Sequence, residues 1–125
     1  DLEALVRALS VDDEKIVSAL RRLNQRICFL GHTHEVMLVA CRNGRVTRLD
    51  PGRGVRALDP DAAYLVNVGS VGQPRDDWDK SAKYVLWDRE ADTVDFRFVP
   101  YDSAETRRKI LERGLPPRYA EILEG

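Results

Sequence analysis

The sequence predicts an α/β layered domain. Two observations carry that reading. Apolar residues recur at helical spacing near both ends of the 125-residue chain. Between them lies a series of short apolar runs separated by turn residues, the pattern of mostly antiparallel strands.

Taken in order, Leu2, Leu5, Val6 and Leu9 predict a first short helix. Ser10 to Asp13 supply cap-type residues, and Ile16, Val17, Leu20 and Leu23 continue the apolar face of a second helix. Its charged residues Glu14, Lys15, Arg21 and Arg22 fit a solvated face. Ile27-Cys28-Phe29-Leu30 is a continuous apolar run, expected as a strand covered on both faces, and Gly31 ends it. Val36 to Cys41 and Arg45 to Leu49 predict two more strands, joined through Asn43-Gly44, the pair favoured by a type I′ hairpin turn. Pro51, Gly52, Gly54 and Pro60 mark a loop, and Ala63 to Val68 a fourth strand. Lys83 to Asp88 and Thr93 to Val99 form a second hairpin. In its last strand Val94, Phe96 and Phe98 share one face, and Asp95 and Arg97 the other. Asp102-x-x-Glu105 is a capping box opening a helix that carries Ile110 and Leu111 inward and stops at Gly114, before Pro116 and Pro117. Tyr119, Ile122 and Leu123 fit a last short helix.

Composition narrows the function classes. Twenty basic and 21 acidic groups leave a net charge of −1, which gives no support to an electrostatic nucleic-acid binder. Hydrophobic residues at 43% permit a packed core. No apolar run approaches the ~20 residues of a membrane helix, and no secretory signal pattern is present, so the expectation is a cytoplasmic protein without membrane contact. Cys28 and Cys41 lack CxxC spacing and are expected as buried thiols in a reducing compartment. The chain begins at Asp1 and its one methionine is Met37, which leads to the expectation of a segment upstream of Asp1.

Two constellations carry chemistry. The first is Gly31-His32-Thr33-His34, which holds both histidines of the chain at the carboxyl end of a predicted strand, where ligands bind in open α/β sheets. An H-x-H pair alone is a weak signal, since loop histidines are common. On an extended backbone residues i and i+2 share a face, ~6.5–7 Å apart. That is wide for two imidazoles on one metal and suits two metals ~3.5–4 Å apart, each taking one imidazole. Gly31 is expected to supply the sharp turn. Glu35 would point to the opposite face, and no bridging carboxylate is evident. The second constellation is Asn67-Val68-Gly69-Ser70-Val71-Gly72-Gln73-Pro74-Arg75-Asp76. Its glycines permit close backbone approach to a ligand, free N–H groups there fit an anion, and Arg75 fits a phosphate. An ordinary Gly/Pro turn with a surface arginine has the same composition.

Together, Gly31-His32-Thr33-His34 and Asn67-Val68-Gly69-Ser70-Val71-Gly72-Gln73-Pro74-Arg75 resemble the C-terminal part of the calcineurin-like metallophosphoesterases, in particular the small prokaryotic phosphodiesterase-type members. Val68 stands where the family often has proline. The stretch Val94 to Tyr101 with the following helix also resembles that family's closing strand and C-terminal helix, so the likeness covers roughly Ile27 to Gly125. The resemblance implies that residues 1–125 are the C-terminal half of a four-layer α/β/β/α sandwich, a portion of one domain. It implies two divalent metal ions of the Mn, Fe, Ni or Zn type, with His32 on one and His34 on the other. Asn67 and Arg75 become candidate substrate contacts, and the substrate a phosphate mono- or diester, a small molecule or a nucleotide. The family's earlier motifs, D-x-H, G-D-x-x-D, G-N-H-[DE] and a further histidine, are absent from these residues, so the 125 residues alone are expected to be inactive. The expected partners are an N-terminal segment of the same protein or a second copy of the chain. A non-catalytic interaction scaffold on the same fold is the alternative reading.

Overall fold

The computed structural model describes residues 12–73, 75 and 79–124. The helix expected around Leu2 to Leu9, and Ser10, Pro74 and Asp76, lie outside the described residues. The elements are α1 (Asp13–Leu23), β1 (Ile27–Leu30), β2 (Val36–Arg42), β3 (Arg45–Leu49), β4 (Gly54–Ala57), β5 (Ala63–Val68), β6 (Ala82–Asp88), β7 (Thr93–Val99), α2 (Ser103–Glu112) and α3 (Arg118–Glu121).

Local chemistry accounts for most boundaries. The Asp12 carboxylate caps α1 by accepting the Lys15 N–H at 3.1 Å. Asp13 and Glu14 stand in its first turn and Arg21 and Arg22 in its last, each matched to the helix dipole. Asn24, at φ 49°, closes it in the left-handed region. Asn43 (φ 52°) and Gly44 (φ 78°) make the turn between β2 and β3, with the positive angles a type I′ hairpin needs. The Asp102 side chain accepts from the Glu105 N–H, as the capping box predicts. Gly114, at φ 66°, lies just past the end of α2.

Among the described residues, seven strands form two sheets. One has the order β1-β5-β2-β3, the other β4-β7-β6. Only β1 and β5 run parallel; the other pairs are antiparallel. The two-residue period of β5 divides its side chains between two cores. Leu65 joins Val39, Ile16 and Leu20 beneath α1. Tyr64 and Val66 join Leu38, Val94 and Phe96 between the sheets. Helix, four-stranded sheet and three-stranded sheet therefore stack in that order. Beyond β7, α2 and α3 pack on each other, and Arg107 pairs with Glu124. Among the described residues no helix is long and apolar enough to cross a membrane. Both cysteines are free thiols, and burial pushes the Cys28 thiol above its ordinary range.

Three expectations are corrected. Gly54–Ala57 is a strand, not loop: four residues carry too little pattern to register alone, and pairing with β7 decides their conformation. Leu111 is 51% exposed, and α2 buries no residue fully. β1 lies at a sheet edge, leaving Phe29 39% exposed in a tilted contact with Trp87 of β6, their ring centroids 5.7 Å apart.

Candidate metal centre

Topology brings the two sequence constellations together. Because β1 and β5 are parallel, their carboxyl ends reach the same end of the sheet, where Leu30 pairs with Asn67. β2 starts there too, with Val36 opposite Val68. The turn at residues 31–34 thus emerges beside the loop at residues 67–73.

The histidine turn is not extended. His32 has φ 78° and His34 φ 65°, both in the left-handed region that L-residues with a Cβ seldom occupy. Thr33 N–H donates to the Gly31 carbonyl at 3.1 Å across His32, the bonding of a γ-turn with positive φ at its centre, a rare and strained form. Each such residue costs about 1–3 kcal/mol and persists only where surrounding contacts over-determine it. The extended backbone that would set His32 and His34 on one face is therefore not the one this turn adopts. Gly31 is not among the residues with positive φ, so the sharp turn belongs to the histidines rather than to the glycine.

The loop supplies the over-determination. His34 Nδ1 lies 2.9 Å from the Gln73 carbonyl oxygen. A carbonyl only accepts, so Nδ1 carries the proton and Nε2 of the neutral ring keeps its lone pair. Metal-binding histidines are commonly held this way, through the ring nitrogen that does not bind the metal. The Arg75 N–H donates to the His34 carbonyl at 3.3 Å, so the loop grips this residue by ring and backbone. The Ser70 hydroxyl accepts from the N–H groups of Gly72 (3.3 Å) and Gln73 (2.9 Å), and the Gly69 N–H donates to Asn67 Oδ1 at 3.2 Å. These three amides are spent inside the loop and are not the free anion-binding donors that the glycine pattern suggested.

Asn67, expected as a candidate substrate contact, lies beneath the histidine turn. It is 1% exposed, and its Nδ2 donates to Thr33 Oγ1 at 2.8 Å and to the Gly31 carbonyl at 3.4 Å. It braces the turn from below. His32 and Arg75 are exposed, and His34 is half-buried. Thr33, Ser70 and the Gln73 carbonyl were not singled out by the sequence reading. Of these, only Ser70 has a local signal, a hydroxyl placed before two backbone amides it can cap. Among the described residues no group of three or more His, Cys, Asp or Glu is placed to hold a metal ion. The donor set at the turn is a pair of histidines, one with its tautomer fixed. It fits a share of a metal centre.

No protein-family model matches the chain. It is 35% identical over 97 residues to an uncharacterized protein of Methanocaldococcus jannaschii, an alignment that spans 78% of this chain and 38% of that protein. The crystal structure of a metallophosphoesterase from Sphaerobacter thermophilus matches with a TM-score of 0.73 at 29% identity, over 89% of this chain and 47% of that one. The chain thus spans less than half the length of either protein.

Proposed function

We propose that this chain, which has the calcineurin-like metallophosphoesterase fold, contributes the last two metal ligands of a phosphoesterase that cleaves phosphate mono- or diesters of small molecules or nucleotides. The observation that carries the reading is His34: a strained left-handed residue whose Nδ1–H is fixed on the Gln73 carbonyl, leaving Nε2 as a ligand. His34 holds one divalent ion and His32 a second, of the Mn, Fe, Ni or Zn type that imidazole suits. Such a pair of ions, when bound, supplies the charge that stabilises the phosphoryl oxygens during in-line displacement. Arg75, exposed beside His34, offers a guanidinium to a phosphate oxygen.

The remaining ligands come, in this reading, from polypeptide of the same protein that pairs along the open edge of β1, next to the exposed Phe29. The setting proposed is cytoplasmic, where Cys28 and Cys41 remain thiols.

The test is hydrolysis of bis-p-nitrophenyl phosphate by the full-length protein with added Mn²⁺. His32→Ala and His34→Ala are each expected to lower the rate by 100-fold or more, on the order of a lost catalytic-metal ligand. A His34→Ala variant that keeps the wild-type rate and Mn²⁺ affinity refutes the assignment.

A further inference from the structure

We propose that Asn67 is the positioning residue of the histidine turn, an inference that rests on the metal-centre reading for its purpose but not for its geometry. The Asn67 side chain touches both the turn and the start of the loop. Its Nδ2 reaches Gly31 and Thr33, the two residues that flank His32. Its Oδ1 receives the N–H of Gly69, where the loop that ends on His34 begins. One carboxamide thereby fixes His32 between two anchored neighbours. It also sets the start of the segment whose Gln73 carbonyl orients His34.

The chemistry selects asparagine. The Gly31 carbonyl can only accept and the Gly69 N–H can only donate, so the side chain between them must offer a donor and an acceptor within one planar group. Aspartate has no donor for the Gly31 carbonyl. Leucine, of similar size, would leave buried polar groups unpaired on both segments. Its place on β5 opposite Leu30 explains how one residue serves both: β5 is the strand that pairs with β1, which leads into the turn, and it runs directly into the loop.

The test uses full-length protein carrying Asn67→Asp or Thr33→Val, with His34→Ala as reference. Thr33→Val removes one acceptor of the Asn67 amide from a half-buried turn while leaving it the Gly31 carbonyl, so it is expected to lower the unfolding midpoint less than Asn67→Asp and covers a failure of that variant to fold. Two readouts are taken: Mn²⁺ affinity by calorimetry, and the tautomer of His34 from its ring ¹⁵N shifts in metal-free protein. The wild type is expected to show the Nδ1–H form alone. Each variant is expected to mix tautomers and to bind Mn²⁺ roughly 10–100-fold more weakly, the usual cost of losing a group that orients a ligand. The double variant is expected to lose less than the product of the single losses, because residues 33 and 67 are in direct contact. Folded variants with wild-type affinity and a single tautomer overturn the proposal. If His34→Ala also binds Mn²⁺ as the wild type does, the metal reading fails, while the tautomer measurement still decides the role of Asn67.

Discussion

Replacing Gly69 by alanine tests how tightly the site end of the sheet is built. Gly69 has φ 78°, and a Cβ placed there would lie 2.7 Å from Val36 Cγ2, 3.2 Å from Lys83 Cβ and 3.4 Å from Lys83 Cδ. The left-handed backbone alone costs an L-residue about 1–2 kcal/mol. The contact with Val36 is shorter than real Cβ atoms tolerate. Val36 is β-branched, packed against the inter-sheet core and paired with Val68, so it yields only by moving the backbone. Lys83 is 2% exposed, and its N–H donates to the Ser70 carbonyl at 3.0 Å, so the opposite wall is also held. Overpacking of this kind costs about 1–3 kcal/mol. The sum is about 2–5 kcal/mol, a large part of the 5–15 kcal/mol typical of a folded domain. Urea denaturation of the full-length protein measures it as a fall in midpoint of about 1–2.5 M for an m-value near 2 kcal/mol/M. Gly31→Ala and Gly72→Ala are the controls. Neither glycine has positive φ, and a Cβ at either meets nothing within 4 Å, so both are expected within about 0.5 kcal/mol of the wild type or slightly more stable. A Gly69→Ala midpoint equal to that of the controls would refute the described packing of Val36 and Lys83 around the loop.

Two further outcomes follow from the packing and the caps. Ile16 is fully buried between α1 and the four-stranded sheet, so Ile16→Ala is expected to cost about 2–5 kcal/mol in the same assay, and a loss under about 1 kcal/mol would mean that α1 is not a layer of the core. Asp12 has its carboxyl held below the usual range of 3.8, first by the Lys15 N–H it accepts. A lowered folded value means that its stabilisation is full above pH 3.8 and disappears as the pH falls through that lower value. Asp12→Asn, which keeps the cap acceptor without the charge, is therefore expected to melt below the wild type at neutral pH and to converge with it in strong acid; a constant difference in melting temperature across that range contradicts the sign.

Where neighbouring residues decide a conformation, the sequence sufficed. The Asn43-Gly44 turn and the Asp102 cap each act within a few residues and stand in the structure as their chemistry requires, and Val94 and Phe96 turn inward as their alternation predicts, although Asp95 between them is buried too. Where distant pairing decides, it did not. Gly54–Ala57 becomes a strand because β7 lies beside it, and Phe29 of β1 is left partly exposed because, among the described residues, β5 alone flanks that strand.

The site divides along the same line. Residue types and spacing point to His32 and His34, but an extended backbone is not the one they adopt, and nothing local to His-Thr-His reveals two left-handed residues. That conformation is imposed from 34 and 36 positions away, by the Asn67 amide on Thr33 and Gly31, and from 39 positions away by the Gln73 carbonyl on His34. The Asn67 side chain links the two segments, and a loop whose glycine pattern fits an anion site spends three of its amides on its own shape. The glycines divide by the same rule: Gly69 is required by a neighbour from β2, whereas Gly31, inside the histidine motif, meets no such constraint. Conformational strain on the two histidines is thus a product of tertiary pairing. The turn should relax in any variant that folds but has lost the Asn67 bridge, and metal affinity should fall with it.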